Sequence, residues 1–195
     1  MKKSDFTKFK PSPKELERCY EQWKNGKQYE QYVKADAALK RVFSSKGDNF
    51  LDESDILIKC ATINSYYGTH IFGLYPIAKH YFQKRDALAK RLKNGDVKLV
   101  IDLANETGMY SFSTKFCHFS NPDAFPIYDS YVATMLYELK KRDGFYSFTK
   151  KSLKEYPKFV EAINAFRQYY GLEEATYRQI DIMLWISGQI YFPKK

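Results

Sequence analysis

Apolar residues never run on for the roughly 18 positions a membrane-spanning helix needs, and the opening "MKKSDFTKFKPSPKE" lacks the apolar stretch of a signal peptide. The expectation is a soluble, cytoplasmic protein with no membrane partner. Cysteine is scarce. Cys19, Cys60 and Cys117 stand far apart without C-x-x-C spacing, which argues against a disulfide scaffold, a zinc ribbon or a cysteine-held iron–sulfur cluster. His70, His80 and His118 form no H-x-x-x-H or H-E-x-x-H pattern, so no metal or other cofactor is expected. Glycine-rich nucleotide loops and a G-x-S-x-G elbow are missing too. So are strand-like alternation and any internal repeat.

What is present is charge of one sign and many aromatic rings. The chain has 195 residues, of which 44% are hydrophobic, enough to bury a core. Its 32 Lys and Arg outweigh 23 Asp and Glu, a net charge of +9, which favours a polyanionic partner. With 17 Tyr and 15 Phe, it also carries the stacking faces that unpaired bases ask for. The bland reading of the same composition is a tyrosine-rich core under solvated charge. The run "AKRLKNGDVK" and the lysine pairs at 140–141, 150–151 and 194–195 fit either reading, as solvated faces or as phosphate contacts that set register.

Helix punctuation is strong. After a basic, frayed tail over residues 1–10, Ser12 can cap a helix with Pro13 at its first position and Gly26 as its stop. A second helical pattern through Tyr29, Tyr32, Val33, Leu39, Val42 and Phe43 breaks at "GDNF". Asp52 or Ser54 then caps a stripe of Ile56, Leu57, Cys60, Ala61 and Ile63. The tract "YYGTHIFG" interrupts with two glycines, and one further helix runs to Asn94-Gly95. Shorter helical patterns follow to the C-terminus. The fold class is all-α, with about eight helices. The chain forms a single helical domain or two small lobes, residues 1–50 with 140–195 and residues 51–139.

The stretch "YSFSTKFCHFSNPDAFPIYDSYVATML" holds the residues with chemical potential. On a helix Lys115 shares a face with Phe112, His118 and Phe119. An ammonium group among rings loses hydration, which favours the free amine, the form that attacks an electrophilic carbon. The alternative is a lysine laying its stem across a core edge. Fourteen positions on, Asp129 stands where it can cap the helix that begins at Ser130, after a proline that forces Phe125 into an extended approach.

The order "SFSTKFCHF" then "PIYDSYVA" resembles the lysine and aspartate core of the helix-hairpin-helix DNA glycosylases, in particular small bacterial members of the 8-oxoguanine glycosylase-like branch. The likeness is centred on residues 110–136. It implies two helical lobes around a cleft, with Lys115 attacking the sugar C1′ to form a Schiff base and Asp129 stabilising the cationic transition state. By the same resemblance Tyr66, Tyr67 and His70, with Asn64, lie in a segment that wedges into the duplex. It also implies base or backbone contacts from Gly108, Phe112, Thr114, His118, Tyr128 and Arg178. Asp181 is a further candidate for the pocket, with Met183 and Trp185 in the core. Two features differ from that family: the hairpin offers one glycine, Gly108, to bind a phosphate, and the interval from lysine to aspartate is short.

Three functions are therefore compatible with the sequence. The first is a DNA glycosylase/lyase of base excision repair, a monomer bound to duplex DNA on the nucleoid, removing an 8-oxoguanine-like base. The second is a helix-hairpin-helix nucleic-acid binder without turnover. The third is a helical interaction protein that ignores DNA.

Overall fold

The computed structural model describes residues 5–44 and 52–194; the "GDNF" break at 47–50 and Lys195 lie outside the described residues. These contain ten α-helices and three short 3-10 turns, with no strand among them. The chain is all-α. None of its described helices is long and apolar enough to cross a membrane.

Contacts divide the chain into a central unit, Gln28–Phe125, and a terminal unit made of Met1–Lys27 with Pro126–Lys195. The sequence reading sets its lobe limits near residues 50 and 140. The division falls elsewhere because the helix over Glu30–Phe43 packs within the central unit, and the helix over Ser130–Asp143 within the terminal one.

The terminal unit holds α1 (Pro13–Asn25), α8 (Ser130–Asp143), α9 (Tyr156–Tyr169) and α10 (Tyr177–Tyr191). Ser12 caps α1 through the Glu15 amide, and Thr176 with Gln179 forms a reciprocal capping box on α10. Helix α10 is the hub, packing on α1 and α8. Gly188 makes the second of these contacts close, since a Cβ there would sit 2.8 Å from the Cβ of Tyr131. Met183 is buried, and Trp185 is partly so.

Residues 5–10 are not a frayed tail. Arg142 donates to the carbonyls of Phe6 (3.1 Å) and Phe9 (2.7 Å), and Phe9 is buried with its ring 5.5 Å from that of Tyr191. The two phenylalanines, unremarkable by periodicity, fasten the segment because Arg142 satisfies the carbonyls beside them.

The central unit contains α2 (Glu30–Phe43), α3 (Glu53–Tyr67), α4 (Leu74–Gln83), α5 (Arg85–Lys93), α6 (Lys98–Thr107) and α7 (Tyr110–Ser120). Asp52, not Ser54, caps α3. The single helix expected after Gly73 is two, since Lys84 leaves helical angles between α4 and α5. Helix α7 is the axis of the unit: it packs on α2, α3 and α6, and residues 112–119 are all buried.

Candidate functional site

A helix buried on every side must satisfy its polar groups internally, and α7 does so turn by turn. Ser113 Oγ donates to the Met109 carbonyl at 2.9 Å, Thr114 Oγ1 to the Ser111 carbonyl at 2.9 Å, and Ser120 Oγ to the Phe116 carbonyl at 2.8 Å. His118 Nδ1 pairs with the carbonyl of Phe125 at 2.7 Å, so its ring ties the end of α7 to the segment that leaves it. Phe112 and Thr114 belong to the core, with no face open to a duplex.

Lys115 is the exception in kind. It is 4% exposed, and its Nζ donates to Ser111 Oγ at 2.5 Å and to the Ser111 carbonyl at 3.2 Å. The ammonium also lies 4.9 Å from the centre of the Tyr67 ring on α3. Tyr67 therefore faces inward, and its ring continues to Phe119 and on to Phe43 at centroid distances of 6.1 and 5.8 Å. A second buried lysine adjoins the same cluster. Lys59 is 3% exposed with its Nζ 5.5 Å from the Phe43 centroid, and burial draws its pKa down against the opposing pull of Asp55. Sequence reasoning missed Lys59 because it sits inside an ordinary amphipathic stripe.

Helices α6 and α7 form a tight hairpin through Gly108 and Met109, made possible by the left-handed φ of 72° at Gly108. The Gly108 amide donates to the Ala104 carbonyl at 2.7 Å, and that of Met109 to Thr107 Oγ1 at 3.3 Å. Both amides at this joint are engaged within the chain. Gly108 shapes the hairpin, and its own N–H is not presented to a phosphate.

The "YYGTHIFG" tract is built on Asn64. Its Oδ1 accepts from Thr69 Oγ1 (2.6 Å) and the Ile71 amide (2.9 Å), while Nδ2 donates to the Ile71 carbonyl at 3.2 Å. Asn64 thus braces a loop and is no surface contact in its own right. The loop runs through left-handed Gly68, His70 and Gly73, and His70 is exposed at its bend. Tyr66 is 45% exposed. At the far side Phe72 is 96% exposed, a whole apolar ring in water. No sequence signal separates Phe72 from its neighbours, since loop residues obey no period.

In the terminal unit Asp129 caps α8, its Oδ1 accepting from the Tyr131 amide at 2.6 Å. Burial raises the Tyr128 pKa, with the Asp129 charge adding to it, and the Tyr128 ring meets Phe159 edge-on at 5.4 Å. Tyr156 secures the approach by donating to the Pro126 carbonyl at 2.7 Å. Arg178 and Asp181 form an ion pair, with the guanidinium 5.6 Å from the Trp23 ring. Lys115 and Asp129 thus belong to different units. The thiols offer no competing nucleophile: burial pushes Cys19 up to about 11 and Cys60 to about 12, and raises Cys117 as well.

The architecture defines an all-helical protein of two units, with two buried lysines in one of them. Over residues 15–124 the chain matches HI_0787_N, described as an N-terminal domain, and it belongs to that family. It is also 42% identical over 137 residues to an uncharacterized protein of Haemophilus influenzae, an alignment covering 67% of this chain and 65% of that protein. The chain therefore spans just under two thirds of that relative's length. No solved structure matches it. The family region includes Lys115, Lys59 and the Asn64 loop and ends before Asp129.

Proposed function

We propose that the protein is a DNA glycosylase/lyase of the helix-hairpin-helix kind, acting on an 8-oxoguanine-like base in duplex DNA. The observation that carries this reading is Lys115, an amine 4% exposed on the second helix of a glycine-jointed hairpin. Lysine is almost never buried to this degree, because removing an ammonium from water is costly. Burial of this kind is what a nucleophilic lysine uses to favour the neutral amine.

In the proposed reaction the damaged base is flipped from the stack and the Lys115 amine attacks C1′. The N-glycosidic bond breaks, its electron pair leaving with the base, which takes up a proton. The resemblance to the glycosylases gives Asp129 the role of stabilising the positive charge that develops on the sugar. The sugar opens to an imine on Lys115, β-elimination then breaks the C3′–O bond, and hydrolysis returns the free lysine. Phe72 is the side chain suited to fill the stack after the base has left, since an exposed ring on a braced loop loses little entropy on insertion. The test is strand scission and borohydride trapping on duplexes carrying 8-oxoguanine opposite cytosine or an abasic site. Wild type should cut and be trapped, and Lys115→Gln should do neither.

A second reading, a nucleic-acid binder without turnover, is favoured by the ordinary roles these groups already fill. Asp129 caps α8, and Lys115 donates within its own helix. That reading predicts salt-sensitive binding with no scission.

A further inference from the structure

The amides at the α6–α7 joint are engaged, which raises the question of where else the chain could hold a phosphate. The terminal unit carries most of the positive charge, with 19 Lys and Arg against 12 Asp and Glu, compared with 13 against 11 in the central unit. Part of that charge converges on one cavity. It has a volume of about 430 Å³ and lies where residues 8–15 meet Tyr191 of α10. Its walls include Lys8, Lys10, Lys14 and Arg18, with Glu15 as their one carboxylate.

Glu15 does not neutralise the group. It is occupied by Arg18, whose Nε and Nη2 donate to its two oxygens at 2.8 and 2.6 Å. Lys8 reaches Asp5 only at 4.0 Å, with its side chain largely in solvent. Lys10 and Lys14 have no ion-pair or hydrogen-bond partner among the described residues. The backbone beside them is held in place. The segment that bears them is pinned by the two Arg142 hydrogen bonds and the buried Phe9, so the lysines project from a fixed backbone. A loose tail would carry the same charge without forming a cavity.

We propose that this cavity is a binding site for a phosphate group, taken up by Lys10 and Lys14 with Lys8 and Arg18 at its margin. Ammonium groups without a partner among the described residues, carried on a pinned backbone around a concave surface, match a tetrahedral dianion or a backbone phosphodiester, and each contact to a polyanion releases counterions. The site is independent of Lys115 chemistry, so the glycosylase reading and this proposal can fail separately.

The test uses the intact chain, with inorganic phosphate and, separately, a short undamaged DNA duplex as probes. The amide resonances of Lys10, Lys14 and Glu15 are followed by NMR. Saturable shifts with inorganic phosphate identify a free-phosphate site. Shifts with the duplex alone identify a backbone site. In either case the Lys10→Gln/Lys14→Gln double variant should lose the shifts; these exposed positions leave the fold intact. For a backbone site the variant should bind duplex about tenfold more weakly at low salt, with the log–log salt slope shallower by roughly one to two. No saturable shift with either probe overturns the proposal, as does a double variant that retains the shifts and the slope.

Discussion

Two lysines share one aromatic cluster and differ in what holds them. Lys115 donates to Ser111 and lies over Tyr67, while Lys59 lies against Phe43 with its pKa lowered by burial. The sign of the second effect is definite. Between the lowered folded value and the ordinary lysine value, the unfolded chain binds more protons than the folded one. Stability therefore rises with pH through that window, and the penalty is fully present below it. Lys59→Met should accordingly be more stable than wild type at neutral pH by about 1 kcal/mol. Denaturant titrations should show that margin narrowing as the pH is raised toward 10. A variant less stable at every pH would mean that Lys59 is held by contacts stronger than its desolvation. At this scale the sequence was legible at several residues that act on their own backbone: Ser12 and Asp129 cap the helices they precede, and of the two candidates Asp52 and Ser54 it is Asp52 that caps α3. It was silent on Lys59 and Phe72, because burial and exposure are decided by partners far along the chain.

Helices and loops set the next level. Gly188 on α10 leaves room for Tyr131 of α8, and an added Cβ would meet Tyr131 Cβ at 2.8 Å and Cα at 3.3 Å. Helix propensity favours alanine by about 1 kcal/mol, but this overlap involves the start of a side chain and cannot swing away. Gly188→Ala should lose about 1–2 kcal/mol net, seen as a melting temperature several degrees lower. An unchanged melting temperature would show that α8 and α10 part at little cost. The Asn64 loop makes the opposite case. Phe72 has almost no intramolecular contact to lose, so Phe72→Ala should leave stability untouched and weaken binding to an abasic duplex roughly five- to hundredfold. Equal affinity would remove Phe72 from the interface. Glycine punctuation made these elements legible, with Gly68, Gly108 and Gly144 each ending a helix in the left-handed conformation. The break at Lys84 was not legible, since no glycine or proline marks it.

At the scale of the whole molecule, charge and chemistry separate. The central unit holds the buried lysines and is nearly balanced in charge, whereas the terminal unit holds Asp129, the basic cavity and most of the net charge. The composition carries a net charge of +9 without saying where on the chain that charge gathers. The folding of residues 5–10 onto Arg142 and Tyr191 brings Lys8 and Lys10 to the cavity that Lys14 and Arg18 of α1 also line. The lysine and aspartate order within residues 110–136 was readable as a chemical possibility, and its proof is a covalent bond. The decisive measurement is borohydride trapping on 8-oxoguanine and abasic duplexes, followed by peptide mapping of the adduct. The account predicts one adduct, carried by Lys115 and absent from Lys115→Gln. An adduct that maps to Lys59, or none at all while duplex binding persists, would contradict it.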